Sequence, residues 1–219
     1  MRQIIVGAFI SLDGVMQAPG GPEEDTSGGF QFGGWTVPYW DDSIAAAMGD
    51  SFSQPFDLLL GRKTYDIFAA HWPRIETDPD AEGYEALNAE IANTFNRATK
   101  YVATHHGETL TWENSQWLSQ DVAARLREIK AGQGPDLVVQ GSSELIQLLL
   151  AEDLVDELRL LTYPLVLGSG KHLFGNGVSP AAFKLIKSVI SPSGVIVARY
   201  QRAGSIATGS FAMETSEAK

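Results

Sequence analysis

The sequence predicts an α/β fold: a mostly parallel central sheet, helices on both faces, and an antiparallel hairpin at the C-terminal edge. Three observations carry this. Short apolar runs alternate with amphipathic stretches along most of the chain. Runs such as "FDLLLG" and "DLVVQ" are apolar almost throughout, as strands covered on both faces must be. The alternation then gives way to "FKLIKSVISPSGVIVARYQR", two extended runs joined by Ser-Pro-Ser-Gly, which reads as a hairpin over 183–202. No linker interrupts residues 1–203, so they read as one domain; the small, polar tail 204–219 reads as flexible.

Each element follows from local signals. Residues 3–10 form a buried first strand. The next segment, "SLDGVMQAPGGPEEDTSGGFQFGGW", is rich in Gly, Pro and acids; a loop this long is functional or mobile. Asp41-Asp42-Ser43 cap a helix that runs to about Asp50. The strand 56–61 breaks at Gly61 into the helical "RKTYDIFAAHW". Leu87, Ile91 and Phe95, spaced by four, mark a helix over 84–96. A strand follows at 100–104, and "LTWENS" holds a short fourth. Ser119 caps the next helix, on which Val122, Leu126 and Ile129 share a face; Gly132 and Gly134 end it. In "DLVVQGSSELIQLLL" a strand, 136–140, turns through Gly-Ser-Ser into a helix, 143–151. Residues 156–168 read as a strand with Pro164 near its end.

Composition narrows the function classes. A chain of 219 residues with 44% hydrophobic and 20% charged residues buries a full core unaided. A net charge of −11 repels phosphate backbones, so nucleic acid is not an expected partner. The absence of cysteine excludes disulfides, thiolate metal sites and a thiol nucleophile, and fits a reducing cytoplasm. No apolar run approaches 18 residues, so no membrane span is expected, and the run Ile4 to Ile10 is a strand rather than a signal segment.

In open α/β sheets, ligands bind beyond the carboxyl ends of strands. Those ends present Ala8, Ile10, Ser11 and Asp13; Gly61, Arg62, Lys63 and Thr64; Thr104, His105 and His106; and Gln140, Gly141, Ser142 and Ser143. "GRKT" and "GSSE" each place a glycine at a helix start, where the backbone can approach a ligand and free N–H groups attract phosphate. The same residues also fit plain helix caps and a solvated Arg-Lys pair. His105 and His106 point to opposite faces and no carboxylate cluster accompanies them, so no metal is expected. Trp35, Tyr39, Trp40, Phe68 and Trp72 suit either a ring pocket or the core. These features give a cleft for an anion or nucleotide without naming a reaction.

Four motifs in order, "SLDG", "LLLGRKTYDIF", "VVQGSSELIQLLLAEDLVDELRL" and "PLVLGSGKHLF", resemble the dihydrofolate reductase superfamily. The nearest branch is the reductase domain of riboflavin-biosynthesis deaminase-reductases, and the likeness spans residues 2–202. It implies a dihydrofolate reductase-like three-layer fold and an NADPH-dependent reductase of a small pterin-like or ribosylaminopyrimidine-like substrate. By resemblance, Gly61, Arg62, Lys63 and Thr64 with Thr104, His105 and His106 hold the adenosine phosphates. Gly141, Ser142, Ser143, Glu144 and Leu145 hold the pyrophosphate, and Ala8 and Ile10 line the nicotinamide. Two departures stand out. The helix before the second strand has "IAAAM" where folate reductases carry an acid, and Gln140 stands where riboflavin-type reductases place a Glu. Asp13 and Asp41 are the candidate proton relay; Trp40, Tyr65, Phe68 and Gln140 are the candidate substrate contacts. The expected partners are a small-molecule substrate and a second copy of the chain. The rival reading is a nucleotide-binding or oligomerising protein without catalysis on the same fold.

Overall fold

The computed structural model describes residues 1–211. Among them, one sheet contains β1 (Ile4–Ile10), β2 (Phe56–Gly61), β3 (Lys100–Ala103), β4 (Ser115–Trp117), β5 (Asp136–Gln140), β6 (Glu157–Thr162), β7 (Phe183–Ile190) and β8 (Ile196–Arg202). Their spatial order is β4-β3-β2-β5-β1-β6-β8-β7. All pairs from β4 to β6 are parallel, and β8 is antiparallel to both its neighbours. The helices are α1 (Asp42–Ser51), α2 (Arg62–His71), α3 (Ala86–Arg97), α4 (Val122–Ala131) and α5 (Ser143–Ala151).

The apolar strands are covered on both sides. All of β2 is buried: Leu59 faces one core layer, while Phe56, Leu58 and Leu60 face the other. The first layer takes Leu126 and Ile129 of α4 and Leu145, Ile146 and Leu149 of α5. The second takes Tyr65 of α2 and Phe95 of α3. A third cluster gathers Trp35, Ile44 of α1 and Val195 around the fully buried Tyr163. Truncating a zero-exposure residue such as Leu59 to Ala would cost about 2–5 kcal/mol, because the covered sheet cannot collapse into the hole.

Several sequence expectations shift. Leu87 is exposed; α3 buries Ala89, Ala92 and Phe95 instead, since the small alanines let the helix sit close. The short strand is 115–117 rather than "LTWENS": Trp112 turns into the core, its N–H donating to the Tyr65 hydroxyl, and Asn114 adopts a left-handed φ of 59° before pairing begins. Asp121, not Ser119, caps α4, accepting from the Ala124 N–H at 3.0 Å. β6 stops at Thr162, and the next residues turn toward the first loop. Residues 205–211 are exposed and irregular, while 212–219 of the expected flexible tail lie outside the described residues.

The long segment after β1 is organised. Leu12 N–H donates to Leu165 O, Met16 N–H to Lys171 O, and Leu173 N–H returns to Gly14 O. Gln17 is 4% exposed, and its amide explains why the segment holds one shape. Its Nε2 donates to Asp25 O and Ser27 O, each at 2.9 Å, and its Oε1 accepts from Lys171 N–H at 3.0 Å. Trp35 Nε1 donates to the Gln17 carbonyl at 2.8 Å.

Candidate functional site

Adjacent strands β3, β2, β5 and β1 bring four of the predicted strand ends together on one edge. At its centre the β2–α2 and β5–α5 turns touch. A Cβ on Gly61 would lie 1.9 Å from Ser142 Oγ and 2.8 Å from Ser142 Cβ, so only glycine lets the turns meet this way. Gly141 and Ser142 both have positive φ, 79° and 74°; for Ser142 this is a strained conformation of order 1–3 kcal/mol. α2 and α5 both start without a side-chain cap, whereas Asp41 and Asp121 cap α1 and α4. α3 also lacks a cap, but it starts beyond the largely exposed 76–83 stretch rather than at the sheet edge. Gly-Ser-Ser is therefore not an N-cap. It is a turn that leaves the first N–H groups of α5 open beside those of α2, a donor set suited to phosphate.

The flanks add charge. Arg62 Nε donates to both oxygens of Asp66 at 2.9 Å, and its Nη1 reaches Thr109 Oγ1 and, at 3.4 Å, the His106 carbonyl. That ties the α2 start to the β3 end, where His105 and His106 are exposed. Thr64 Oγ1 lies 4.0 Å from where a Gly141 Cβ would stand. Ser143 is half-buried, Glu144 exposed and Leu145 a core residue, so any contact from Leu145 is through its backbone. Lys63 pairs with Asp25 at 2.6 Å. On the other side, β1 pairs with β5 only as far as Gly7, while its pairing with β6 continues to Ile10. The backbone from Ala8 to Ile10 therefore has no strand partner on the β5 side. The Ala8 and Ile10 side chains themselves sit in the core. Gln140 folds over β1, its Nε2 2.9 Å from where a Gly7 Cβ would be.

The two candidate acids are engaged elsewhere. Asp13 accepts from Ser11 Oγ, from Leu167 N–H at 3.1 Å and from Gly168 N–H at 2.8 Å. The Ser11 hydroxyl and these amides hold its carboxyl down to about 2, so at neutral pH it is an ionised clamp with no proton to give. Asp41 caps α1 through Ile44 N–H at 3.0 Å and accepts from Ser193 N–H at 3.2 Å. Burial pushes its carboxyl up, but these donors outweigh that and lower it. Two predicted substrate contacts turn toward the core: Tyr65 is 1% exposed with its hydroxyl accepting from Trp112 N–H, and the half-buried Phe68 packs against the core, stacking on Phe95 at 5.7 Å. Both lie on the inner face of α2, because their i, i+3 spacing points them at the sheet rather than the edge. Trp40 is 49% exposed just before α1. Trp35, Tyr39, Phe68 and Trp72 all pack in core clusters. Among the described residues no group of three or more His, Asp or Glu is placed to hold a metal ion, and no helix is long and apolar enough to cross a membrane.

Sequence reasoning missed Gly7, Gln17, Asp25 and Lys171. Lys171 Nζ reaches Asp25 at 2.7 Å, and nothing local in "GSGKHLF" signals a partner so distant in the chain.

This sheet order, with one antiparallel strand and a cleft between β1 and β5, is the dihydrofolate reductase fold. Dihydrofolate reductase of Enterococcus faecalis, complexed with NADP(H), superposes with a TM-score of 0.53 at 12% identity, covering 91% of this chain and 96% of that one. The chain belongs to the RibD C-terminal domain family, whose model matches residues 2–197. A diaminohydroxyphosphoribosylaminopyrimidine deaminase/5-amino-6-(5-phosphoribosylamino)uracil reductase of Thermotoga maritima matches at TM-score 0.56 and 14% identity, over 92% of this chain and 57% of that protein. The uncharacterised protein YyaP of Bacillus subtilis (strain 168) is 26% identical over 195 residues, 89% of this chain and 92% of its own length.

Proposed function

We propose that the chain is an NADPH-dependent reductase that reduces a C=N or C=O bond of a small pterin-like or ribosylaminopyrimidine-like substrate. Family membership and the two relatives that are, respectively, bound to NADP(H) and a uracil reductase support this reading. The observation that carries it is the Gly61–Ser142 contact, which sets two uncapped helix starts side by side. That cradle of open N–H groups, flanked by Arg62 and Lys63, fits a dinucleotide's phosphates.

When bound, the cofactor supplies a hydride. The amides of Gly141 to Leu145 would hold its pyrophosphate. Gly61 to Thr64, with Thr104, His105 and His106, would hold the adenosine phosphates. The unpaired backbone at Ala8 to Ile10 aligns the nicotinamide, and the Gln140 amide, already turned over β1, positions the substrate without charge. That hydride would reduce the substrate carbon while a proton would go to the adjoining N or O. Asp13 and Asp41, both ionised acceptors, hold no proton to give at neutral pH.

The test is titration with NADPH and NADH, repeated on Gly141→Asp. This substitution places a carboxylate against phosphate at a residue with φ of 79°. Micromolar NADPH binding by the native chain, lost in the variant, is expected. Binding of neither cofactor overturns the reading; unchanged affinity in the variant moves the site elsewhere.

A further inference from the structure

Asp25 sits between two ammonium groups from opposite sides of the cleft. Lys63 Nζ is 2.6 Å from its Oδ1, and Lys171 Nζ is 2.7 Å from its Oδ2. Lys63 follows β2, and Lys171 lies in the loop after β6. β5 and β1 separate those strands, so the three inter-strand steps span roughly 14 Å at the sheet edge. Asp25 thus ties the segment 17–34, the strap, to elements on both sides of the carboxyl ends of β5 and β1.

An exposed ion pair would mean little. This one differs in three ways. The Asp25 side chain is only 11% exposed. It also accepts from Ser27 N–H at 3.1 Å and Ser27 Oγ at 2.6 Å, and Gln17 Nε2 donates to the Asp25 and Ser27 carbonyls. The two lysines, by contrast, remain 55% and 38% exposed, open to a competing anion. The neighbouring carboxylate Glu24 is turned back on the strap, accepting from Gly20 N–H at 2.6 Å.

We propose that Lys63 and Lys171 form a phosphate subsite that Asp25 fills from within, latching the strap shut until a ligand phosphate takes Lys63. The competition with cofactor rests on the NADPH reading above; the latch itself does not. Burial works against the Asp25 charge, but the lysines and Ser27 outweigh it and keep the carboxylate ionised, so the latch is charged at neutral pH.

Hydrogen–deuterium exchange of residues 17–34, with NADPH titration and a melting scan to verify folding, tests this on the full chain. In Asp25→Asn, strap amides should exchange about tenfold faster, and NADPH should bind about tenfold tighter, because the closed fraction no longer taxes affinity. Lys171→Gln cuts one tether and should also speed exchange. It leaves Asp25 on Lys63, so it should not tighten NADPH. Unchanged strap exchange in both folded variants overturns the latch, even if NADPH binds. Faster exchange with unaltered or weaker NADPH binding in Asp25→Asn overturns the competition while the cofactor reading stands. If neither form binds NADPH, the cofactor reading falls with the competition, and the exchange of the free protein still decides the latch.

Discussion

Gly61→Ala measures the contact on which the cradle depends. The new Cβ would meet Ser142 Oγ at 1.9 Å and Ser142 Cβ at 2.8 Å. Rotating the serine hydroxyl relieves the first clash but not the second, which is set by the two backbones. The start of α5 must therefore give way. Overpacking of this kind costs about 1–3 kcal/mol. The Gly61 backbone, at φ −77° and ψ 162°, suits alanine, so the loss of unfolded-chain freedom returns about 0.4–1 kcal/mol. The net loss should be about 1–2 kcal/mol, a drop in Tm of roughly 3–6 °C for a chain of this size. Ser142→Gly removes both offending atoms and frees a residue at φ 74°, so alone it should be neutral or stabilise by about 0.5–1 kcal/mol. The double variant should be about 0.4–1 kcal/mol more stable than Ser142→Gly, because the alanine keeps its gain without the clash, giving a coupling of about 1–3 kcal/mol in a denaturant cycle without cofactor. Additivity within about 0.5 kcal/mol would show that the turns do not touch, and the argument for a shared cradle would fail.

Arg62→Ala should raise the Kd for NADPH roughly 10-fold or more by removing a charged donor, with a smaller effect on NADH; equal effects in isothermal titration would place the phosphate that distinguishes NADPH from NADH elsewhere. Asp13 has a carboxyl held near 2 against an ordinary 3.8, so the stability it contributes is present above pH 3.8 and is lost as pH falls toward 2. Asp13→Asn should therefore cost about 1 kcal/mol at pH 7 and flatten the acid limb between pH 4 and 2 in thermal melts. Lys100 is fully buried, its Nζ on the Asn96 carbonyl at 2.7 Å and 4.3 Å over the Trp112 ring, and burial lowers it to about 8. The unfolded chain then binds more protons than the folded one between pH 8 and 10.5, so stability rises with pH there, and Lys100→Met should abolish that slope in pH-dependent denaturation.

Much of the fold was legible because its signals are local. "FDLLLG" and "DLVVQ" can be nothing but doubly covered strands, and both sit next to the glycine that ends them. The turns "GRKT" and "GSSE" were legible as helix starts; they are neighbours because β2 pairs with β5, which no local signal shows. What was not legible depends on distant partners. Tyr65 reads as a site residue because it follows "GRKT", yet the helical period turns it under the sheet to meet Trp112. Asp13 reads as an acid until Leu167 and Gly168 arrive from another part of the chain to neutralise its chemistry. Asp25 was invisible because nothing local sets it apart from Glu23 and Glu24 beside it; its meaning lies in two lysines that flank the cleft.

The central place of β1 has a consequence for how the protein is made. Gln3 and Asp136, hydrogen-bonded where β1 meets β5, are 133 residues apart. At about 5–20 residues per second, roughly 7–27 seconds of synthesis separate them. Through that interval Ile4 to Ile10 has neither of its neighbours, because β5 and β6 are still to come. An apolar strand with both edges bare is a docking site for chaperones and for other nascent chains. The strand that anchors the finished cleft is thus the one the ribosome leaves unprotected the longest.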